Sequence, residues 1–206
     1  MKTSNVELMK MAEESLSGKW GLAAGTFFVY FIIIVAIQLM SEFYPITGLV
    51  SLLITGPLAL GVAIFSLNIS RDKNPQSDQI FDGFKNFGTS IGAYFLMGLF
   101  VLFWSLLLII PGIIAAISYS MTFYIIADDD SIGPMDAIDK SIEIMDGYKW
   151  KYFCLNLRFL GWALLCILTL GIGFLWLAPY IQVSLANFYE DIKENKNSII
   201  PTYNNS

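Results

Sequence analysis

Apolar residues form long blocks along this chain, separated by short polar segments. The first block, Trp20–Met40, contains no charged residue. A helix of that length extends for about 30 Å, which matches the hydrocarbon core of a bilayer. A second block, about Leu49–Ile69, contains the pair Gly56-Pro57, which predicts a kink. The pattern predicts two membrane spans joined by a turn that contains Tyr44 and Pro45.

The third block, Ile91–Ala127, is too long for one membrane crossing. A single helix over it would extend for about 55 Å, whereas the hydrocarbon core is about 30 Å thick. The chain must therefore reverse, and Ile110-Pro111-Gly112 is the segment whose residues favour a turn. Two last blocks, Lys151–Leu168 and Phe174–Tyr189, flank a glycine turn at Thr169–Gly173. The sequence thus predicts an all-α polytopic membrane bundle of about six transmembrane helices, arranged as three hairpins.

The positions of lysine and arginine predict the orientation of the spans. These residues all lie on one side of the predicted bundle or just inside it, and the turns on the opposite side contain none. The positive-inside rule makes that side cytoplasmic. We therefore expect a multi-pass protein of the cell membrane with both termini in the cytoplasm, and a disordered cytoplasmic tail over 193–206.

Three charged segments on the cytoplasmic side have apolar residues at helical spacing. Ser4 and Glu7 form a capping box that begins the first segment. The second places Ile80 and Phe81 on one face together with later phenylalanines, and Pro134 begins the third. We expect amphipathic helices that lie in the membrane interface, either on lipid or on the ends of the spans.

The second and third hairpins resemble each other in sequence. A shift that lays Tyr94-Phe95 on Tyr152-Phe153 also lays Trp104 on Trp162. This agreement predicts an internal repeat, and the first hairpin fits the pattern more loosely. We expect one membrane domain, 1–192, composed of parallel units. Their bounds are about 1–73, 76–130 and 134–192. The alternative is that any two hydrophobic hairpins resemble each other.

A short motif precedes each of the two similar hairpins. It is Asp82-Gly83-Phe84-Lys85 before the second and Asp146-Gly147-Tyr148-Lys149 before the third. In each motif the glycine would let the chain bend from an interfacial helix into a span. The lysine would meet a lipid phosphate or a neighbouring carboxylate. The motifs should therefore occupy corresponding points on the cytoplasmic rim.

Composition supports a membrane location and excludes several chemistries. The chain is 56% hydrophobic and 14% charged, against about 25% charged residues in a typical soluble domain. A net charge of −5 without a basic run argues against nucleic acid as a partner. The absence of histidine excludes Ser-His hydrolysis and histidine-bound zinc. Because Cys154 and Cys166 lie about 18 Å apart along one predicted helix, they cannot form a disulfide with each other.

Asp128-Asp129-Asp130 is the most conspicuous carboxylate cluster. With Gly133 it begins like a calcium-binding loop, but Ile132 occupies a ligand position and Asp139 replaces the usual closing glutamate. The structural interpretation is the end of a span followed by the cap of the next helix. A bound cation is the alternative.

Arg158 is the one charge expected inside the hydrocarbon. It either extends its guanidinium to the cytoplasmic rim or takes part in binding or permeation. The candidate functional or structural residues of the rim are Asp82, Gly83, Lys85, Asp128, Asp129, Asp130, Asp146, Gly147, Lys149 and Arg158. We expect no catalytic, cofactor-binding or metal-binding residue among them.

The chain resembles a known family through motifs that occur along nearly all of its length. They include Ser17-Gly18-Lys19-Trp20, Pro111-Gly112-Ile113-Ile114-Ala115, Ala137-Ile138-Asp139-Lys140-Ser141, Met145-Asp146-Gly147-Tyr148-Lys149, Ala178-Pro179-Tyr180 and Phe188-Tyr189. They are similar to those of an uncharacterised family of bacterial polytopic membrane proteins, catalogued as domain of unknown function number nine hundred and seventy-five. That family is in turn similar to the membrane region of some glycerophosphodiester phosphodiesterases. The resemblance implies a bacterial inner membrane protein, but no activity and no catalytic residues.

The sequence favours a function without catalysis. Charges, repeated motif and amphipathic segments all gather on the cytoplasmic side, which predicts a scaffold or accessory protein acting through that face. Its expected partners are the lipid bilayer and a membrane or cytoplasmic protein. One alternative is a small transporter or channel, and the other is a membrane enzyme with a metal at the cytoplasmic rim.

Overall fold

The computed structural model describes residues 3–43 and 47–199. Within these ranges the chain is helical and contains no strand, so the predicted all-α class is confirmed. The helices are α1 (Asn5–Leu16), α2 (Trp20–Phe43), α3 (Thr47–Ser70), a 3-10 helix (Ser77–Phe84), α4 (Phe87–Leu107), α5 (Ile109–Ser118), α6 (Thr122–Asp128), α7 (Pro134–Met145), α8 (Lys149–Leu168) and α9 (Phe174–Ile199).

Helix α9 lies at the centre of the bundle. It packs against α1, α2, α3 and α8. Its side chains Val183, Ala186 and Phe188 are completely buried. α1 contributes Leu8 and Leu16, which are also completely buried, and it begins with the predicted capping box between Ser4 and Glu7. The first amphipathic segment is therefore part of the bundle core as well as a surface helix.

Within the described ranges, five helical stretches are long and apolar enough to cross a membrane, which indicates an integral membrane protein. They are Trp20–Met40, Leu53–Ser70, Phe87–Leu107, Ile109–Asp128 and Lys149–Leu168. The predicted sixth span, Phe174–Tyr189, is not among them. It lies in α9, whose C-terminal part carries several charged residues.

The reversal inside the third apolar block lies earlier than predicted. Leu108 has extended backbone angles and separates α4 from α5. Pro111 falls in the first turn of α5, where a missing N–H breaks no helical hydrogen bond. A Cβ on Gly112 would lie 2.1 Å from Ser105 Oγ, so this glycine lets α4 and α5 approach closely. The predicted turn at Ile110-Pro111-Gly112 was wrong because these residues begin a helix and line a close contact.

The second amphipathic segment is a 3-10 helix that lies on α3, which is one of the two arrangements that the sequence left open. A Cβ on Gly61 would lie 1.9 Å from the carbonyl oxygen of Ile80, and a Cβ on Gly83 would lie 1.9 Å from that of Pro57. Two glycines therefore bring two backbones into direct contact. Ile80 is buried by this contact, whereas Phe81 stays exposed.

Two further predictions concern the chain ends and the first turn. The turn predicted at Tyr44 and Pro45 lies outside the described residues. The segment predicted to be disordered from Lys193 onward continues α9 as helix up to Ile199. The prediction of disorder was therefore wrong for residues 193–199, because α9 continues beyond the end of its apolar run. The remainder of that segment lies outside the described residues.

Candidate functional site at the charged ends of the helices

Charged residues from α3, α6 and α9 meet in one network. Arg71 directly follows α3, and Asp128 is the last residue of α6. The arginine Nη2 lies 2.6 Å from Asp128 Oδ1, and its Nε donates to Glu190 Oε1 at 3.0 Å. The other oxygen of Asp128 accepts a hydrogen bond from the Tyr189 hydroxyl at 2.8 Å and pairs with Lys193. Asp128 therefore links the C-terminal ends of α3 and α6 to the C-terminal half of α9.

A second ion pair joins α8 to α9 beside the N-terminus. Lys151 Nζ lies 2.9 Å from Asp191 Oδ2, and the two side chains are only 11% and 9% exposed. The other oxygen of Asp191 accepts from the Thr3 hydroxyl at 2.6 Å. Asn5 donates through its amide to the carbonyl oxygen of Lys151 at 3.1 Å. This pair is the less exposed of the two and fixes the start of the chain to the bundle.

Aromatic rings surround these charges. The ammonium of Lys151 lies 5.4 Å from the ring centre of Phe188, and that of Lys193 lies 5.6 Å from the ring of Tyr189. Tyr189 also stacks on Tyr124 with 5.7 Å between ring centres. Such rings attract cations and lower the local dielectric, which strengthens the neighbouring ion pairs.

The network joins helices to one another. Each carboxylate in it is bound by at least one cation, and the pairs connect residues that are far apart in the chain. Removing one partner of a nearly buried pair leaves the other charge uncompensated, at a cost of about 3–5 kcal/mol. The central charges therefore fix the relative positions of α3, α6, α8 and α9.

The aspartate cluster divides into residues with different roles. Asp128 belongs to the network, whereas Asp129 accepts hydrogen bonds from the hydroxyl and the amide of Ser131, at 2.6 and 3.2 Å. These bonds hold the pKa of Asp129 below its ordinary value. Asp130 is exposed. In the described part of the chain no group of three or more His, Cys, Asp or Glu side chains is arranged to hold a metal ion.

The motif at Gly147 forms the bend that the sequence predicts. Asp146 has φ −65° and ψ 127° and Gly147 has φ 81°. The amide of Tyr148 donates to the carbonyl of Met145 at 3.0 Å. Together these values define a type II turn, which requires a positive φ at its third residue. Lys149 then begins α8.

The first unit has the same turn, but the second does not. Ser17 has φ −57° and ψ 128°, and Gly18 has φ 75°. By contrast, Gly83 lies inside the 3-10 helix without a positive φ, and Asp82 pairs with Lys85 at 2.7 Å on the surface. No such pair joins Asp146 and Lys149 among the described residues. The bend predicted at Gly83 was therefore wrong, because Gly83 serves close packing. The corresponding positions of the two motifs on the cytoplasmic rim stay a prediction.

Arg158 lies on the exposed face of α8 and forms no ion pair with any described residue. Five residues of the site were not predicted as such from the sequence, namely Arg71, Lys151, Glu190, Asp191 and Lys193. Each adjoins the end of an apolar block, and their charges nearly balance. Those two signals together could have predicted a network, although the pairing itself depends on the fold.

Comparison with known proteins gives a family and nothing on activity. The family model described as "Protein of unknown function (DUF975)" matches residues 1–116 and 106–196. No curated protein and no solved structure matches the chain. The resemblance to the membrane region of some glycerophosphodiester phosphodiesterases stays a prediction. Because the two matched stretches include most of the sequence, the chain belongs to the DUF975 family of proteins of unknown function.

Proposed function

We propose that the protein crosses the bacterial inner membrane six times, with α9 as the sixth span and both termini in the cytoplasm. Three contacts support one common side for the helix ends. Lys19, before α2, pairs with Asp72, after α3. The Arg71 network joins the C-terminal ends of α3 and α6 to the C-terminal half of α9, and Lys151 joins the start of α8 to that same part of α9. This side holds most of the lysine and arginine, which the positive-inside rule assigns to the cytoplasm.

We propose further that the protein acts without catalysis, as a scaffold or accessory protein that binds a protein partner through this face. The observation that carries the proposal is an exposed tryptophan on a rigid support. Trp150 is 74% exposed, although its neighbour Lys151 is held in the nearly buried ion pair. Val6, which follows the Asn5 that contacts Lys151, is 58% exposed.

An uncovered apolar side chain on a backbone that is fixed by its neighbours suits a protein interface. Tryptophan is enriched among the residues that dominate binding energy, and a preformed surface loses little conformational entropy on binding. The alternative role for Trp150 is an anchor at the lipid headgroups. The two roles differ in what touches the side chain.

Site-specific photo-crosslinking in native membranes tests the proposal. A benzophenone amino acid at position 150 should give a discrete protein adduct. The matched control is position 164, since Leu164 lies on the same helix and is 58% exposed. Adducts with lipid alone at position 150, or the same protein adducts at both positions, would contradict the scaffold function. Solute flux into vesicles that contain the purified protein, above that of empty vesicles, would favour the transporter hypothesis instead.

A further inference from the structure

An open cavity of about 430 Å³ lies beside the ion-pair network, between the end of α6, α7 and α9. Its volume is within the range of small-molecule sites. Ile144 and Tyr189 contribute apolar wall. The charged lining contains equal numbers of acids and lysines, namely Asp128, Asp129, Glu143, Lys140, Lys193 and Lys196.

Part of this lining is already engaged. Asp128 and Lys193 pair with each other, and Asp128 also binds Arg71. By contrast, Lys140, Lys196 and Glu143 form no ion pair with any residue in the described part of the chain. Two lysines and one glutamate outside any such ion pair therefore face the same cavity from α7 and α9. Lys140 also attracts Asp129, one oxygen of which accepts hydrogen bonds from Ser131.

The balance of charge restricts what this cavity can accept. A simple anion would gain from Lys140 and Lys196 but would be repelled by Glu143 and Asp129. A simple cation would be attracted by Glu143 and Asp129 but repelled by the two lysines. A molecule that carries both signs a few bonds apart can satisfy both sets of groups, since charge-assisted hydrogen bonds are about twice as strong as neutral ones.

We propose that this cavity binds a phosphate group joined by a short chain to a primary ammonium, as in phosphoethanolamine. Lys140 and Lys196 bind the phosphate oxygens, and Glu143 with Asp129 accepts the N–H groups of the ammonium. The ligand is either the headgroup of a lipid or a free compound of the same chemistry. The proposal does not depend on the scaffold function.

Calorimetric titration of the full chain in dodecyl maltoside tests this site. The probes are dihexanoyl phosphatidylethanolamine, dihexanoyl phosphatidylglycerol, dihexanoyl phosphatidylcholine and free phosphoethanolamine. The ethanolamine lipid should bind more tightly than the other two lipids. Lys140→Gln, Lys196→Gln and Glu143→Gln should each weaken its binding by at least about tenfold. Lys73→Gln should not, because Lys73 is exposed outside the cavity.

Each outcome decides the proposal. Equal binding of the glycerol lipid, unaffected by Glu143→Gln, would mean a site for anions only and would overturn it. Equal binding of the choline lipid would overturn the role of the N–H donors. Free phosphoethanolamine that binds as tightly as the lipid would support the chemistry and assign a soluble source. The melting temperature without ligand should be unchanged by the three cavity substitutions. If one of them lowers it strongly, the titration is repeated with the charge-conserving variants Lys140→Arg and Glu143→Asp. These two variants should retain binding, and loss of binding in both would overturn the proposal.

Discussion

The Lys151–Asp191 pair allows a quantitative test of how the bundle is held together. Lys151→Met keeps the length of the side chain but removes its charge, so Asp191 is left with hydrogen bonds from Thr3 and Asn195 and without its cation. Because both side chains are almost inaccessible to water, solvent cannot replace the lost interaction. We expect a loss of about 3–5 kcal/mol in the free energy of unfolding.

The double variant Lys151→Met, Asp191→Leu separates the charge effect from the packing effect. With no carboxylate left unpaired, most of the single-variant loss should be recovered, since apolar replacement of a whole buried pair is often neutral or stabilising. Asp82→Asn is the surface control. Its partner Lys85 is 79% exposed at the side chain, so we expect little change there.

The assay is reversible unfolding in mixed micelles, followed by tryptophan fluorescence and circular dichroism. A loss below about 1 kcal/mol for Lys151→Met would refute the reasoning. A double variant as unstable as the single one would also refute it, because the unpaired charge would then not be the cause.

Three further predictions concern glycines and one carboxylate. Gly147→Val should lower the free energy of unfolding by about 1–3 kcal/mol, because valine is strained at a positive φ. Thermal unfolding in detergent should show a larger loss for this variant than for Asp146→Asn. Equal losses would show that the carboxylate maintains the motif. Gly61→Ala should destabilise the protein by about 1–3 kcal/mol, because the added Cβ would overlap a backbone oxygen. Gly98→Ala is the control, since a Cβ at that position would have no neighbour within 4 Å. Similar melting temperatures for the two variants would contradict the close backbone contact. The lowered pKa of Asp129 means that its contribution to stability is complete above its unfolded pKa of about 4 and is lost as pH falls through the lower folded pKa. Asp129→Asn should therefore reduce the loss of stability between about pH 4 and lower pH. An unchanged dependence of stability on pH would contradict a stabilising role for the Asp129 carboxylate.

The sequence predicted the helices well and their contacts poorly. Apolar blocks such as Trp20–Met40 are long enough that only a helix in lipid suits them, and the capping box at Ser4 is a local signal. Leu108 was missed as the turn because proline and glycine mark either a turn or a helix start, and only packing decides between them. The role of Gly83 was misread for the same reason: its contact with Pro57 joins parts of the chain that the sequence pattern does not relate.

The candidate site shows the same limit. Asp128 was identified because three adjacent aspartates stand out in an apolar chain. Its partners Arg71 and Lys193 lie on other helices, and each was counted only as a topological charge. The charge pattern predicts that they share one side of the membrane, but their pairing depends on how the helices pack.

Cysteine labelling in intact cells tests the central claim, that the charged helix ends are cytoplasmic and the hairpin tips are not. In a background without Cys154 and Cys166, a cysteine at Leu108 or Leu170, which are 68% and 95% exposed, should react with an impermeant maleimide added outside. A cysteine at Ser131 should react only after the membrane is opened. Labelling of Ser131→Cys from outside, or failure of both tip positions to react from outside, would contradict the account.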